Sequence, residues 1–136
     1  MHVTPDRMYV LGVGVAEVFS ILVRKQNGKQ LTPAAFAQAL IDFDAEIIRQ
    51  TRLRKIIADT DPITSALSLI ARHSINATDA ILLRSALDLD ANLRVGGDSL
   101  ALVASDQRLL RAAQAEGLTT FNPETQTTAD LDALLV

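Results

Sequence analysis

Three acidic residues set among apolar neighbours are the side chains of this chain whose types and surroundings most favour a chemical role. The five apolar residues of 100–104 predict a strand covered on both faces. Ser105 and Asp106 follow directly after this strand. Asp79 and Glu17 are each flanked by short apolar runs as well. A buried carboxylate without a partner is costly, so these surroundings predict either a divalent cation or compensating hydrogen bonds. Ligands of open α/β sheets bind at the carboxyl ends of strands, which is where Asp106 is expected.

Each of these acids also has a purely structural interpretation, and the residues alone leave both open. Asp106 is well placed to cap the helix that follows it. Asp79 and Glu17 are predicted to lie in the first turns of their helices, where a carboxylate stabilises the positive end of the helix dipole. Asn76 is a candidate cap for the Asp79 helix. Ser105 could orient a carboxylate or donate a hydrogen bond to a phosphate.

For most of the other charged residues, the sequence predicts ordinary roles at helix ends or on the surface. Asp61 precedes a proline and is predicted to cap a helix. His73 is predicted to end a helix, with a functional role as the alternative. The densest basic cluster is either a solvated helix end or a phosphate-binding patch, and it comprises Arg49, Arg52, Arg54 and Lys55. The acids spaced as solvated helix faces are Asp42, Asp44, Glu46, Asp88 and Asp90.

Composition narrows the chemistry that this chain can support. Its 136 residues predict a single globular domain, 1–136, with 49% hydrophobic and 21% charged residues. The chain has no cysteine and only two histidines, so a metal site would use oxygen ligands, which favour Mg²⁺ or Mn²⁺. The net charge of −3 argues against binding nucleic acid by charge alone. Neither a membrane span nor an export leader is recognisable, so we expect a cytoplasmic protein without a membrane partner.

Strand and helix signals alternate along the chain. The predicted strands are 8–13, 55–58, 100–104 and 119–121. The predicted helices are 15–26 (closed by Asn27-Gly28), 32–50, one from Asp61 past Ile70, 77–93, one after Asp106 ended by Gly117, and 129–135 (capped by Thr128). This alternation predicts parallel strand pairing, and therefore a helix-rich α/β fold built as a three-layer α/β/α sandwich around a short parallel sheet.

At these residues the chain resembles the PIN domain family, the nuclease fold of VapC-type toxins. The matching segments are 15–20, 73–83, 102–113, 116–118 and 122–124. Their order, spacing and secondary-structure context carry the resemblance, which extends from Met8 to Glu124. It implies an endoribonuclease of bacterial or archaeal cytoplasm that depends on Mg²⁺ or Mn²⁺. In toxins of this family a small antitoxin protein inhibits the nuclease, and the domains are often homodimers.

The resemblance also assigns roles to individual residues. It implies that Glu17, Asp79 and Asp106 are the catalytic acids and hold the metal. The metal would activate a water molecule for in-line attack on the RNA phosphate. Ser105 matches the hydroxyl residue that precedes the last acid, and with Asn76 it is assigned to substrate binding.

One departure from the family pattern keeps a second function open. The family begins with a strand that carries an aspartate, and this chain opens at what resembles the second strand. Either the chain is a truncation of a longer protein or its site is degenerate, and a degenerate PIN-like module would bind RNA or a protein partner without cleaving. Without the central strand, open sheet edges need a partner, so we expect a tight homodimer or a rearranged sheet.

Overall fold

The fold is that of a computed structural model, which describes residues 5–58 and 60–135. The chain divides into two compact units, residues 1–57 and 58–136, and each is described by itself. A single domain spanning 1–136 therefore stays a prediction.

The first unit contains one parallel strand pair and two helices. Its elements are a 3₁₀ turn (Pro5–Arg7), β1 (Tyr9–Leu11), α1 (Gly12–Asn27), α2 (Pro33–Phe43), a π turn (Asp44–Ile48) and β2 (Arg54–Ile56). Strands β1 and β2 pair in parallel, with Val10 opposite Lys55. The predicted start of α2 is confirmed: the Thr32 hydroxyl accepts a hydrogen bond from the backbone N–H of Ala35. The predicted helix to Gln50 ends earlier, because the backbone widens into the π turn after Phe43.

The second unit contains five helices and a second parallel strand pair within its described residues. Its elements are α3 (Thr60–Ser65), α4 (Leu67–His73), α5 (Ala77–Val95), β3 (Ala101–Val103), α6 (Gln107–Ala115), β4 (Thr119–Phe121) and α7 (Thr128–Leu134). Leu102 of β3 lies opposite Thr120 of β4. The helix predicted to start at Asp61 is divided into α3 and α4, and α3 begins at Thr60. Asp61 therefore lies in its first turn and not at the cap.

A continuous apolar core holds the second unit together. Leu69 of α4 and Leu83 of α5 are its largest fully buried side chains. Ala80 and Ala113 are completely inaccessible, which lets neighbouring elements approach closely. Leu102 brings β3 into the same cluster. This core fixes α5, β3 and α6, the elements that carry Asp79 and Asp106.

Three helices end in the same hydrogen-bonded turn, in which one residue adopts a left-handed conformation. Gly97 closes α5 and Gly117 closes α6, with φ angles of 86° and 89°. At the end of α1 this position is occupied by Lys29, with φ 56°. The predicted end of this helix at Asn27-Gly28 is confirmed, although Gly28, as its C-cap, keeps a φ of −78°. The backbone N–H groups of Lys29 and Gln30 bond the carbonyls of Gln26 and Lys25.

The predicted helix-rich α/β class with short parallel strand pairing is confirmed. The described strands form two sheets of two strands each, in the orders β1-β2 and β3-β4. The three-layer α/β/α sandwich stays a prediction. The C-terminal helix also forms, although Thr127 caps it in place of Thr128, through a reciprocal bond pair with Asp130. Within residues 5–58 and 60–135, no helix has the length and apolar character needed to cross a bilayer.

Candidate functional site

Asp106 lies three residues after β3 and caps α6, as one of the two sequence interpretations predicts. Its Oδ1 atom accepts hydrogen bonds from the backbone N–H groups of Arg108, at 2.7 Å, and Leu109, at 3.1 Å. These bonds, Leu109 first, hold the pKa of Asp106 below its usual value, and the charges of Arg108 and Arg111 lower it further. Asp106 is therefore a carboxylate at neutral pH, and among the described residues nothing bonds its second oxygen.

Asn76 and Asp79 form one local unit at the start of α5. The Asn76 side-chain oxygen accepts the backbone N–H of Asp79 at 2.8 Å, so the predicted Asn76 cap is confirmed. The Asn76 amide nitrogen in turn donates to the Asp79 carboxylate at 2.6 Å. Asp79 occupies the first turn of α5, also as predicted. Both polar ends of the Asn76 side chain are thus engaged, and its assignment to substrate binding stays a prediction.

Glu17 lies in the first unit, on the exposed surface of α1. The prediction that it occupies the first turn of this helix is wrong. Strand β1 ends at Leu11, earlier than the predicted Val13, so α1 starts at Gly12 and places Glu17 beyond its first turn. Stabilisation of the helix dipole therefore does not account for an acid at this position.

The three predicted metal ligands are divided between the units: Glu17 belongs to the first, and Asp79 and Asp106 belong to the second. Within the part of the chain that the structure describes, no group of three or more histidine, aspartate or glutamate side chains is arranged to hold a metal ion. The donor chemistry of Asp106 fits Mg²⁺ or Mn²⁺, since it is an anionic oxygen ligand. The joint coordination of a metal by Glu17, Asp79 and Asp106 stays a prediction.

Ser105 is exposed between β3 and the Asp106 cap. Its hydroxyl makes no hydrogen bond within residues 5–58 and 60–135. This exposure is compatible with the assignment of Ser105 to substrate binding, which stays a prediction.

The prediction that the acids of α5 are solvated is wrong for Asp90. Its side chain is buried, accepts the backbone N–H of Leu100 at 2.8 Å and pairs with Arg94 at 2.6 Å. Burial raises the pKa of Asp90, but the bonds from Leu100 and Arg94 outweigh burial, so the net pKa is lowered. Asp90 joins the end of α5 to the start of β3 and is a structural residue.

Sequence reasoning also missed a pair that links α4 to the end of α6. His73 ends α4, as predicted, and its Nε2 lies 2.6 Å from the carboxylate of Glu116. The hydrogen bond with His73, followed by that with Arg72, lowers the pKa of Glu116 despite its partial burial. These partners are more than 40 residues apart in the chain, so neither spacing nor periodicity could have indicated the pair.

The basic cluster of the first unit is engaged in local contacts. Arg49 pairs with Asp44, Arg52 pairs with Asp6, and Arg54 stacks on the ring of Tyr9. Lys55 donates to two backbone carbonyls. These contacts favour the interpretation as a structural surface over a phosphate-binding patch.

Comparison of the chain with protein-family models, with curated proteins and with solved structures found no match. The PIN-like interpretation therefore depends on the sequence segments named above and on the candidate residues described in this subsection.

Proposed function

We propose that this chain is a PIN-like endoribonuclease that requires Mg²⁺ or Mn²⁺. The observation that carries the proposal is Asp106: an anionic side chain just beyond the end of a parallel strand, with one oxygen in the helix cap and the other unbonded in the described structure. Capping and metal binding use different oxygens, so the structural role of Asp106 does not exclude the catalytic one. Mg²⁺ is commonly held by one or two carboxylates together with substrate phosphates and water, so a complete protein cage is not required.

In this proposal the protein supplies charge and position. Asp106, Asp79 and Glu17 would be the metal ligands, and Ser105 and Asn76 would contact the RNA phosphate. A bound divalent ion would supply a water of lowered pKa and would stabilise the negative charge on the phosphate. Asp106 contributes a carboxylate that stays ionised, because backbone N–H groups stabilise its charged form.

The test uses the fact that asparagine caps a helix about as well as aspartate does. Asp106→Asn keeps a cap at α6 and removes the negative charge. We expect the wild type to cleave a mixed RNA substrate with Mn²⁺ and the variant to lose at least about a hundredfold in rate, as when a group that stabilises transition-state charge is removed. Asp79→Asn should lose activity in the same assay.

Asp98→Asn is the matched control, because Asp98 is an exposed acid of the same unit. It should cleave at the wild-type rate. Equal cleavage by the wild type and Asp106→Asn, or no cleavage by either, would overturn the proposal.

A catalytically degenerate PIN-like module that binds RNA or a protein partner is the second candidate. The observation that favours it is the engagement of Asp106 and Asn76 in helix caps, which accounts for both side chains without chemistry. Calorimetry with Mn²⁺ distinguishes the candidates: a nuclease should give saturable heat that Asp106→Asn weakens, and a degenerate module should give none.

We also propose that the chain forms a homodimer in the cytoplasm and, if it is a toxin, binds an inhibitory antitoxin protein. Each described strand has a hydrogen-bonded neighbour on one side alone. Helix α1 has no buried residue, and several of its apolar side chains are exposed: Val13, Val18, Phe19 and Ile21. Apolar surface of this kind is typical of protein interfaces.

A further inference from the structure

A cleft of about 470 Å³ opens in the second unit between the end of α4 and one face of α6. It is lined by His73, Ser74, Arg108, Arg111 and Ala112. This volume is within the range of small-molecule sites. Its lining is unusual for this acidic chain, because its ionisable side chains are two arginines and a histidine.

The two arginines of the cleft act on Asp106 through their charge, which lowers its pKa. They lie three residues apart on α6 and so project from the same side of the helix. Within the described residues, neither guanidinium makes a hydrogen bond or an ion pair. Five other arginines pair with carboxylates, namely Arg49, Arg52, Arg72, Arg84 and Arg94. Guanidinium groups present several donors in a planar fork, which matches the oxygens of phosphate.

The histidine of the cleft is held in a defined orientation. Because Glu116 is an ionised acceptor, the proton between the two side chains belongs to His73 Nε2. Arg72 also binds the same Glu116 oxygen at 2.6 Å. The negative charge of Glu116 is therefore countered by Arg72, and its Oε1 also accepts a hydrogen bond from His73, which reduces its repulsion of an anion in the cleft.

Ser74 adds a polar group to the lining. It takes a left-handed conformation at the end of α4, with φ 52°, and its backbone N–H bonds the carbonyl of Ile70. Its exposed hydroxyl has no hydrogen-bond partner among the described residues. Asp106 is the opposing charge near this cleft, since both arginines act on it electrostatically.

We infer that this cleft binds a phosphate group, held by the guanidinium forks of Arg108 and Arg111 beside His73 and the Ser74 hydroxyl. The inference does not rest on the proposed metal site, because none of the predicted metal ligands lines the cleft. The phosphate could be the terminal group of a small phosphate monoester or a diester of an RNA backbone, since both present the oxygens that a guanidinium fork recognises.

The experiment is an NMR titration of the whole chain, free of divalent metal, with three probes in parallel. The probes are inorganic phosphate, adenosine 5′-monophosphate and a short single-stranded RNA without a terminal phosphate. We expect saturable shifts of the backbone signals of Ser74, Arg108, Arg111 and Ala112. Tighter binding of the monophosphates identifies a terminal phosphate as the ligand, and tighter binding of the RNA identifies a backbone diester.

Arg111→Gln removes one fork from an exposed helix position and should raise the Kd about tenfold, the effect of losing a charge-assisted hydrogen bond. Arg108→Gln is the second variant and should act in the same direction. Arg24→Gln is the control: it makes the same change of charge on exposed α1 and should leave the Kd unchanged.

Three outcomes would overturn the inference. One is the absence of saturable shifts with all three probes, and another is a set of shifts that map away from the cleft. The third is an equal loss of affinity in Arg111→Gln and Arg24→Gln, which would indicate attraction by general charge. Because no metal is added, a negative RNA cleavage assay leaves this result unaffected, and the two proposals can fail separately.

Discussion

At the scale of single residues, Asp106 shows how one side chain can cap a helix and still have an oxygen that could bind a metal ion. Its Oδ1 satisfies two backbone N–H groups at the start of α6, which is the work of an ordinary cap. The same bonds keep it ionised, as a metal ligand must be. A substitution can separate these roles because asparagine caps helices and carries no charge.

We expect Asp106→Ala to lower the free energy of unfolding by about 1 kcal/mol, the usual contribution of a helix N-cap. Asp106→Asn should lose clearly less, since the amide oxygen can accept the same bonds. Urea denaturation of the three proteins near neutral pH measures both values. An equal loss in the two variants would show that the charge, and not the cap geometry, stabilises α6.

Asp88 and Asp90 provide a matched pair on one helix. Each pairs with an arginine four residues away, but Asp88 is half exposed and Asp90 is buried. Asp90→Asn should cost about 2–3 kcal/mol, because a buried charged hydrogen-bond network is broken. Asp88→Asn should cost less than about 1 kcal/mol, as for an exposed ion pair. Urea unfolding gives both numbers.

The pH dependence of this difference has a defined sign. The folded pKa of Asp90 is lowered, so the stability from its charge is fully present above the unfolded pKa of about 3.9. That stability is lost as the pH falls through the folded pKa. The gap between wild type and Asp90→Asn should therefore be constant near neutral pH and shrink on acidification. A gap that widens in acid would contradict the assignment.

At the scale of elements, the sequence predicted helices best where one residue type determines the local geometry. Thr32 before a proline and Asn76 before Asp79 start helices where expected, because their side chains accept backbone N–H groups. Asp106 does the same for α6. These signals are short-range. The strand signals at 100–104 and 119–121 are short-range as well, and they correspond to β3 and β4.

Features that depend on contacts between distant parts of the chain could not be predicted from the sequence. Asp90 has the spacing of a solvated acid, and its partner Leu100 lies across a turn from it. The pairing of His73 with Glu116 crosses two further elements. Glu17 fits a first turn by spacing, but the early end of β1 moves the start of the helix. Candidate acids could therefore be named from the sequence, but their partners could not.

The three matching helix ends give a prediction for α1. Gly97 and Gly117 adopt the left-handed conformation without strain, whereas Lys29 carries a Cβ there. Lys29→Gly should raise the free energy of unfolding by up to about 1 kcal/mol. Lys29→Ala keeps the Cβ and removes the charge, so it should not stabilise. Thermal unfolding of both variants tests this, and equal effects would assign the change to the lysine side chain.

At the scale of the whole molecule, the two units differ in how much apolar surface they bury. The second unit has a continuous core, whereas among residues 6–57 Leu11 is the one apolar side chain that is buried. Isolated two-stranded sheets are marginally stable, so a unit with so little buried surface gains from a partner. This contrast supports the proposed homodimer, for which we propose the apolar surface of α1 as the interface.

We therefore expect light scattering with size exclusion to give twice the 14.7 kDa mass of the chain, with dissociation on dilution. Val18→Glu adds a charge to exposed apolar surface of α1 and should shift the equilibrium towards monomer, because burying an unpaired carboxylate is unfavourable. Val95→Glu is the control: Val95 is 89% exposed, more than any other large apolar side chain that the structure describes, and ends α5 in the other unit. A monomer at every concentration would reject the dimer, and equal dissociation by both variants would reject α1 as its interface.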